Sequence, residues 1–191
     1  MSNIAIFASG SGTNAENIIR FFRPDATIHI RLLLSNKADA KALERAKKYG
    51  IATYVFDRQI FYNSDQVLNI LEEHEITHII LAGFLWLVPG PLISRFPNAI
   101  VNIHPALLPK YGGKGMYGHK VHESVIANRE KESGITIHYV NEHYDEGNII
   151  FQARCPVYKN DTPDSLANRI HELEYEHFPR VIREVIQKEQ R

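Results

Sequence analysis

Short apolar runs alternate with helical segments from Ile4 to Ile103, and that alternation leaves few folds open. The runs Ile4 to Ala8, Thr27 to Leu34, Thr53 to Phe56, Thr77 to Ala82 and Ala99 to Ile103 are β-branched and aliphatic, as strands require. Between them lie three helical stretches. Thr13 to Phe22 carries Ala15, Ile18, Ile19 and Phe22 at helical spacing, Ala38 to Tyr49 is rich in Ala, Lys, Glu and Arg, and Asp65 to His74 follows. Pro91 to Arg95 has the length of one helical turn. Thr13 and Glu16 have the spacing of a capping box, and Gly50 fits a helix C-cap. Such alternation predicts a mostly parallel sheet with helices on both faces.

The pattern changes after residue 103. His119 to Asn128 reads as a helix, and Gly134 to Val140 and Ile149 to Val157 read as strands of an antiparallel or mixed extension. Pro163 to Gln187 is a long, charged, amphipathic helix with Pro179 as a candidate bend. No repeat, low-complexity segment or linker interrupts the chain. Residues 1–191 are therefore expected to form one Rossmann-like α/β domain.

Charge excludes some partners. With 22 basic and 22 acidic residues, no excess positive charge argues for nucleic acid or a membrane surface. No apolar run approaches the ~20 residues of a membrane helix. Met1-Ser2-Asn3 leads into a strand without a basic leader, and Cys155 is the single cysteine, so a soluble cytoplasmic protein is expected.

Ser9-Gly10-Ser11-Gly12-Thr13-Asn14-Ala15 follows a strand and opens a helix. There the free N–H groups and the helix dipole favour an anion. The string also matches Gly-x-Gly-x-x-Ala, which permits a dinucleotide. However, Ser35-Asn36 stands where that reading needs an acid, and the lysine of a P-loop is absent, so a phosphate monoester is the better ligand. A tight turn without a ligand is the plainer alternative.

The stretch Val101 to Gly113 has Asn102 and His104 two apart, on one face of a strand. Pro105 biases His104 towards an extended backbone. Asp145-Glu146-Gly147 can bring a carboxylate to them. An Asp beside the imidazole would raise its pKa, and the resulting cation, with the Asn102 amide, would stabilise an oxyanion. A buried His–Asp pair that holds a loop fits the same residues. Of the ten histidines, His119 and His122 have i,i+3 spacing but no third metal ligand, and solvated surface is the expectation for both. His138 reads as a hydrogen-bonded structural residue, His74, His78 and His171 have no evident partner, and Cys155 reads as core. No metal site is expected.

The string Asn102 to Gly113 resembles the signature of folate-dependent formyltransferases. The similarity extends through Ser9 to Asn14, Ser35 to Ala40, Leu81 to Phe84, Gly134 to Val140 and Asp145 to Gly147. It implies 10-formyltetrahydrofolate as co-substrate, phosphoribosylglycinamide as acceptor, and a monomer or homodimer. Under it His104 is the general acid, Asn102 polarises the formyl oxygen, and Asp145 raises the pKa of His104. Gly12, Thr13 and Asn14 would hold the substrate phosphate. Leu85, Trp86, Leu87, Val88, Asn102, Val140 and Asn141 would line the folate pocket, and Glu174 would contact the rest of the acceptor. Residues 1–100 become a phosphate-binding half and 101–191 a catalytic, folate-binding half.

Three places depart from the family pattern. Leu85-Trp86 stands where relatives often have an arginine. Phe61 to Ser64 lacks an arginine used near the phosphate, so Asn63, Ser64 or Lys110 is expected to compensate. Lys114-Gly115-Met116-Tyr117-Gly118 replaces a shorter connection.

Overall fold

The centre of the sheet is β1 (Ser2–Phe7), whose six residues are all buried, as befits a parallel strand covered on both faces. It pairs in parallel with β2 (Ile28–Ser35) on one side and β4 (His78–Leu81) on the other. β3 (Ala52–Val55) extends the sheet beyond β2, and β5 (Ile100–His104) extends it beyond β4, both in parallel. β6 (Glu132–Tyr139) and β7 (Ile149–Pro156) then add antiparallel, giving the order β3-β2-β1-β4-β5-β6-β7. This computed structural model describes residues 1–189.

The helices fall on both faces, as the alternation required. α1 (Thr13–Phe22), α2 (Lys41–Lys48), α6 (His119–Ala127) and α7 (Pro163–Glu189) cover one core, in which Ile18, Leu43, Val121 and Phe178 meet the sheet. α3 (Arg58–Asn63), α4 (Gln66–Glu73) and α5 (Gly90–Arg95) cover the other, around Phe7, Phe61, Leu71 and Leu92. Among the described residues no helix is long and apolar enough to cross a membrane.

Two local expectations need correction. The capping box does not form: Gly12 is the N-cap of α1 at φ 73°, and the Glu16 carboxylate turns instead to Arg45 of α2 and to Tyr49, the C-cap of α2. The structure also has a helix, α3, in a stretch expected to hold none, and Asp57 caps it by accepting from Ile60 N at 2.8 Å. Gly50 does end α2, at φ 72°. α7 runs through Pro179. That proline cannot donate to the Tyr175 carbonyl four residues back, and Asn17 Nδ2 fills the place at 3.0 Å.

Candidate active site

Strand order reverses at β1 and β4, because β2 and β3 lie to one side and β4 to the other. Ligands of such sheets bind where the carboxyl ends of the strands part. A cavity of about 920 Å³ opens there, walled by the glycine loop, the ends of β4 and β5, the loop 113–118, and α7.

The glycine loop is held from three sides. Ala42 N donates to Gly10 O at 3.1 Å and Arg45 Nε donates to Ser11 O at 2.9 Å. Ser9 Oγ donates to Asn36 Oδ1 at 2.6 Å while accepting from Leu85 N at 3.1 Å. Only glycine fits at position 12, since a Cβ would stand 2.4 Å from Ala42 Cα. The first turn of α1 thus presents its N–H groups to the cavity from a fixed frame. Lys37 and Lys114 line the same cavity, and neither ammonium has an acidic partner among the described residues. Asn63, Ser64 and Lys110 do not compensate there: the first two bond within α3, to Gln59 and Ile60, and Lys110 pairs with Glu130.

Asn102 and His104 converge with Asp145. Asp145 stands in a turn at φ 57°, closed by Gly147, whose Cβ would lie 1.7 Å from Tyr139 O. Its Oδ2 lies 3.5 Å from His104 Nδ1 and accepts from Gly113 N at 3.0 Å, and its Oδ1 is 3.4 Å from Asn102 Nδ2. His104 is 4% exposed, and its Nε2 donates to Tyr111 O at 2.7 Å. Burial dominates its titration and holds the imidazole below its ordinary value, despite Asp145 and the Tyr111 carbonyl. The expectation of a His104 kept protonated by Asp145 is therefore corrected: the low-dielectric setting outweighs the carboxylate. Burial alone would raise the Asp145 carboxyl, but His138, His104 and the Gly113 N–H together hold it below the usual carboxylate range.

His138 belongs to this constellation, which its alternating strand pattern did not reveal. In the antiparallel register it faces Asn102, and its Nε2 lies 3.1 Å from Asn102 Nδ2. Asn102 is thus anchored by one N–H. The other is held only loosely at 3.4 Å and can turn to a ligand oxygen.

Glu174 forms the opposite wall. It is 4% exposed, and its Oε2 accepts from both Asn14 Nδ2 and His171 Nδ1 at 2.8 Å. His171 therefore has a partner, as has His78, which meets Thr77 Oγ1 at 2.8 Å. His122 is not solvated surface but buried, whereas His119 is exposed between Glu123 and Asp164. No group of three or more metal-ligating side chains occurs among the described residues. Cys155 is buried in the core.

Of the residues expected around folate, Leu85 and Asn102 line the cavity. Trp86 stacks on Tyr62, with Arg58 4.8 Å above its ring, and Tyr62 donates to Leu87 O. Val88 is core, Val140 packs beside it, and Asn141 accepts from His143 N. These five stand outside the lining. Tyr144 and Asp145, at the end of the Val140 to Asp145 stretch that the resemblance assigns to the folate pocket, line the cavity.

A glycine loop at the switch point, facing an Asn-x-His pair across one cavity, defines an α/β group-transfer fold, and the formyl transferase family model matches residues 2–182. The chain belongs to the formyl transferase family. Its relatives named phosphoribosylglycinamide formyltransferase include a chloroplastic protein of Arabidopsis thaliana, 39% identical over 186 residues, or 94% of this chain and 63% of the relative. One from Haemophilus influenzae is 37% identical over 96% of this chain and 86% of its own. The Bacillus halodurans structure of that name superimposes with a TM-score of 0.88 at 35% identity, covering 98% of this chain and 96% of the other. Glycinamide ribonucleotide transformylase 1 from Symbiobacterium toebii gives 0.87 at 34%, covering 96% and 86%. The chain spans less than two thirds of the length of the plant relatives it matches.

Proposed function

We propose that this chain transfers the formyl group of 10-formyltetrahydrofolate to the amine of phosphoribosylglycinamide, a step of de novo purine synthesis in the cytoplasm. One observation carries the reading: an anion-binding glycine loop and the Asn102–His104–Asp145 group open into the same cavity. Gly12, Thr13 and Asn14 hold the phosphate, and Lys37 and Lys114 supply the positive charge that Asn63, Ser64 and Lys110 do not. Leu85, Asn102 and Tyr144, which line the cavity, meet the folate ring, whereas Trp86, Leu87, Val88, Val140 and Asn141 do not touch it. Residues 1–100 supply the phosphate end and 101–191 the catalytic end, with Leu85 and Glu174 each crossing to the other's side of the cavity.

The acceptor amine attacks the formyl carbon. The carbonyl oxygen becomes an oxyanion, held by the free N–H of Asn102 and by His104 once its Nδ1 takes a proton beside Asp145. The attacking nitrogen loses a proton, folate N10 gains one, and the C–N10 bond breaks, giving the N-formyl product and tetrahydrofolate. The scheme calls on no metal. Incubation of the purified chain with both substrates tests it, with tetrahydrofolate release as the readout. Formyl transfer is expected. Binding of the ribonucleotide without turnover, with His104 intact, would reduce the chain to a nucleotide-binding module.

A further inference from the structure

Tyr111 is a non-glycine residue in a left-handed backbone, at φ 58°, and its carbonyl is the acceptor for His104 Nε2. L-residues seldom adopt that region, so surrounding contacts must hold it there. The hold comes from the side chain: the Tyr111 hydroxyl donates to Glu130 Oε1 at 2.9 Å. Glu130 is fixed in turn by the end of α6. Arg129 sits at φ 52° and donates to Ile126 O at 2.9 Å, and Glu130 N donates to Val125 O at 3.2 Å, the pattern of a Schellman stop. Lys110 Nζ also reaches Glu130 Oε1, but its side chain is 67% exposed, so that ion pair contributes little. Neither Tyr111 nor Glu130 lines the active-site cavity, so their effect on the reaction passes through His104.

The Tyr111 carbonyl decides which nitrogen of His104 titrates. An oxygen that only accepts keeps a hydrogen on Nε2, in the neutral ring and in the cation alike. The proton that comes and goes is then the one at Nδ1, 3.5 Å from Asp145 Oδ2. Without the carbonyl, the neutral ring is free to place its one hydrogen on Nδ1, towards the carboxylate, and to leave Nε2 bare. The ring would then rest against Asp145 uncharged, and the oxyanion would lose its cation. The Tyr111 bond also raises the pKa of His104 against the burial that lowers it.

We propose that Glu130 is a positioning residue for the reaction: it holds Tyr111 so that the Tyr111 carbonyl stays on His104 Nε2 and the exchanging proton stays at Nδ1, beside Asp145. The inference rests on the reading of function above.

The test is kcat against pH, at saturating substrates, for Glu130→Ala, Tyr111→Phe and the double variant of the full chain. The titratable groups that face His104 are Asp145, His138, Glu174 and His122, and these variants alter none of them. Each single variant should lower kcat at neutral pH roughly tenfold, the worth of one hydrogen bond to a charged group. Both KM values should stay within about twofold, since no substrate contact is removed. The limb of the profile that reports protonated His104 should move to lower pH, so the loss should shrink on acidification. The double variant should be no slower than either single one, because both remove the same bond. Glu130→Gln, which keeps an acceptor for the tyrosine hydroxyl, should recover most of the rate. Lys110→Met, which removes only the surface ion pair, should leave kcat within about twofold. Tyr111→Phe carries the test if Glu130→Ala does not fold. Wild-type kcat in either single variant, a loss equal at every pH, or losses that add in the double variant overturns the assignment of Glu130. Absence of wild-type turnover overturns the reading of function, and this inference with it.

Discussion

The Nε2 of His138 lies 3.1 Å from the side-chain nitrogen of Asn102, and the two residues are register partners across β5 and β6. The other ring nitrogen of His138 is 2.8 Å from Tyr139 O, which can only accept, so in the neutral ring Nδ1 carries the hydrogen and Nε2 is the acceptor, while in the charged ring Nε2 gains a hydrogen 3.6 Å from Asp145 Oδ1. That assignment turns the Asn102 nitrogen towards His138 and fixes the amide. His138→Phe should therefore lower kcat about tenfold, less than loss of the oxyanion donor itself. His138→Gln, which restores an acceptor, should recover part of it. Steady-state rates with saturating substrates decide the matter, and wild-type kcat in His138→Phe would sever His138 from the reaction.

Asn102→Ala and His104→Ala should each cost about 10²–10³ in kcat, or ~3–4 kcal/mol, with the melting temperature little changed. Asp145→Asn separates the roles further. The Asp145 carboxylate raises the pKa of His104 against the burial that lowers it. Without that charge the imidazole falls further below its ordinary value, and the limb of the pH–rate profile that reports protonated His104 moves to lower pH. A profile of unchanged position would show that Asp145 only shapes the loop through Gly113.

Strand–helix alternation was legible in the sequence because burial on two faces writes itself as unbroken runs such as Ile4 to Ala8. Asn102, His104 and Asp145 were legible because their spacing and their glycine turn are local. What was hidden depended on register or on packing between distant helices. His138 meets Asn102 only through the β5–β6 pairing, and His122 is buried where α6 packs against α7. The sign of the His104 shift turned on burial, which no string of residues displays. The capping box failed for a similar reason: Arg45, on another helix, competes for the Glu16 carboxylate.

Gly12 tests the glycine loop as a rigid frame. A side chain there meets two obstacles, a left-handed φ of 73° and the Ala42 Cα at 2.4 Å, which is backbone and cannot rotate away. The backbone strain alone is worth about 1–3 kcal/mol, and displacing α2 adds to it. Gly12→Ala should lower the melting temperature by at least several degrees. It should also raise the acceptor KM more than the folate KM. Gly10→Ala is the control, since nothing lies within 4 Å of a Cβ there. Equal stability of the two variants would refute close α1–α2 packing at the loop.

Acid stability gives the last test, and its sign follows from burial. Burial pushes the imidazole of His122 down to about 4 in the folded chain, from an ordinary value of about 6.5. Between those values the unfolded chain binds the extra proton, so stability rises with pH and is lost on acidification from about 6.5 towards 4. The full shift corresponds to about 3 kcal/mol, of which about 2 kcal/mol falls between pH 7 and pH 5. His104, also lowered by burial, acts in the same direction. His171 acts oppositely: its hydrogen bond to Glu174 raises its pKa, and that stabilisation is lost as pH climbs through the raised value. Asp145 and Asp161, both lowered, lose their contributions only in stronger acid, below the ordinary carboxylate value. Comparing the wild type with the non-titrating His122→Gln isolates one group from the rest. Denaturant unfolding at pH 7 and pH 5 should show the wild type losing about 2 kcal/mol more than the variant. Equal losses would mean that His122 is not held neutral by burial in the folded chain.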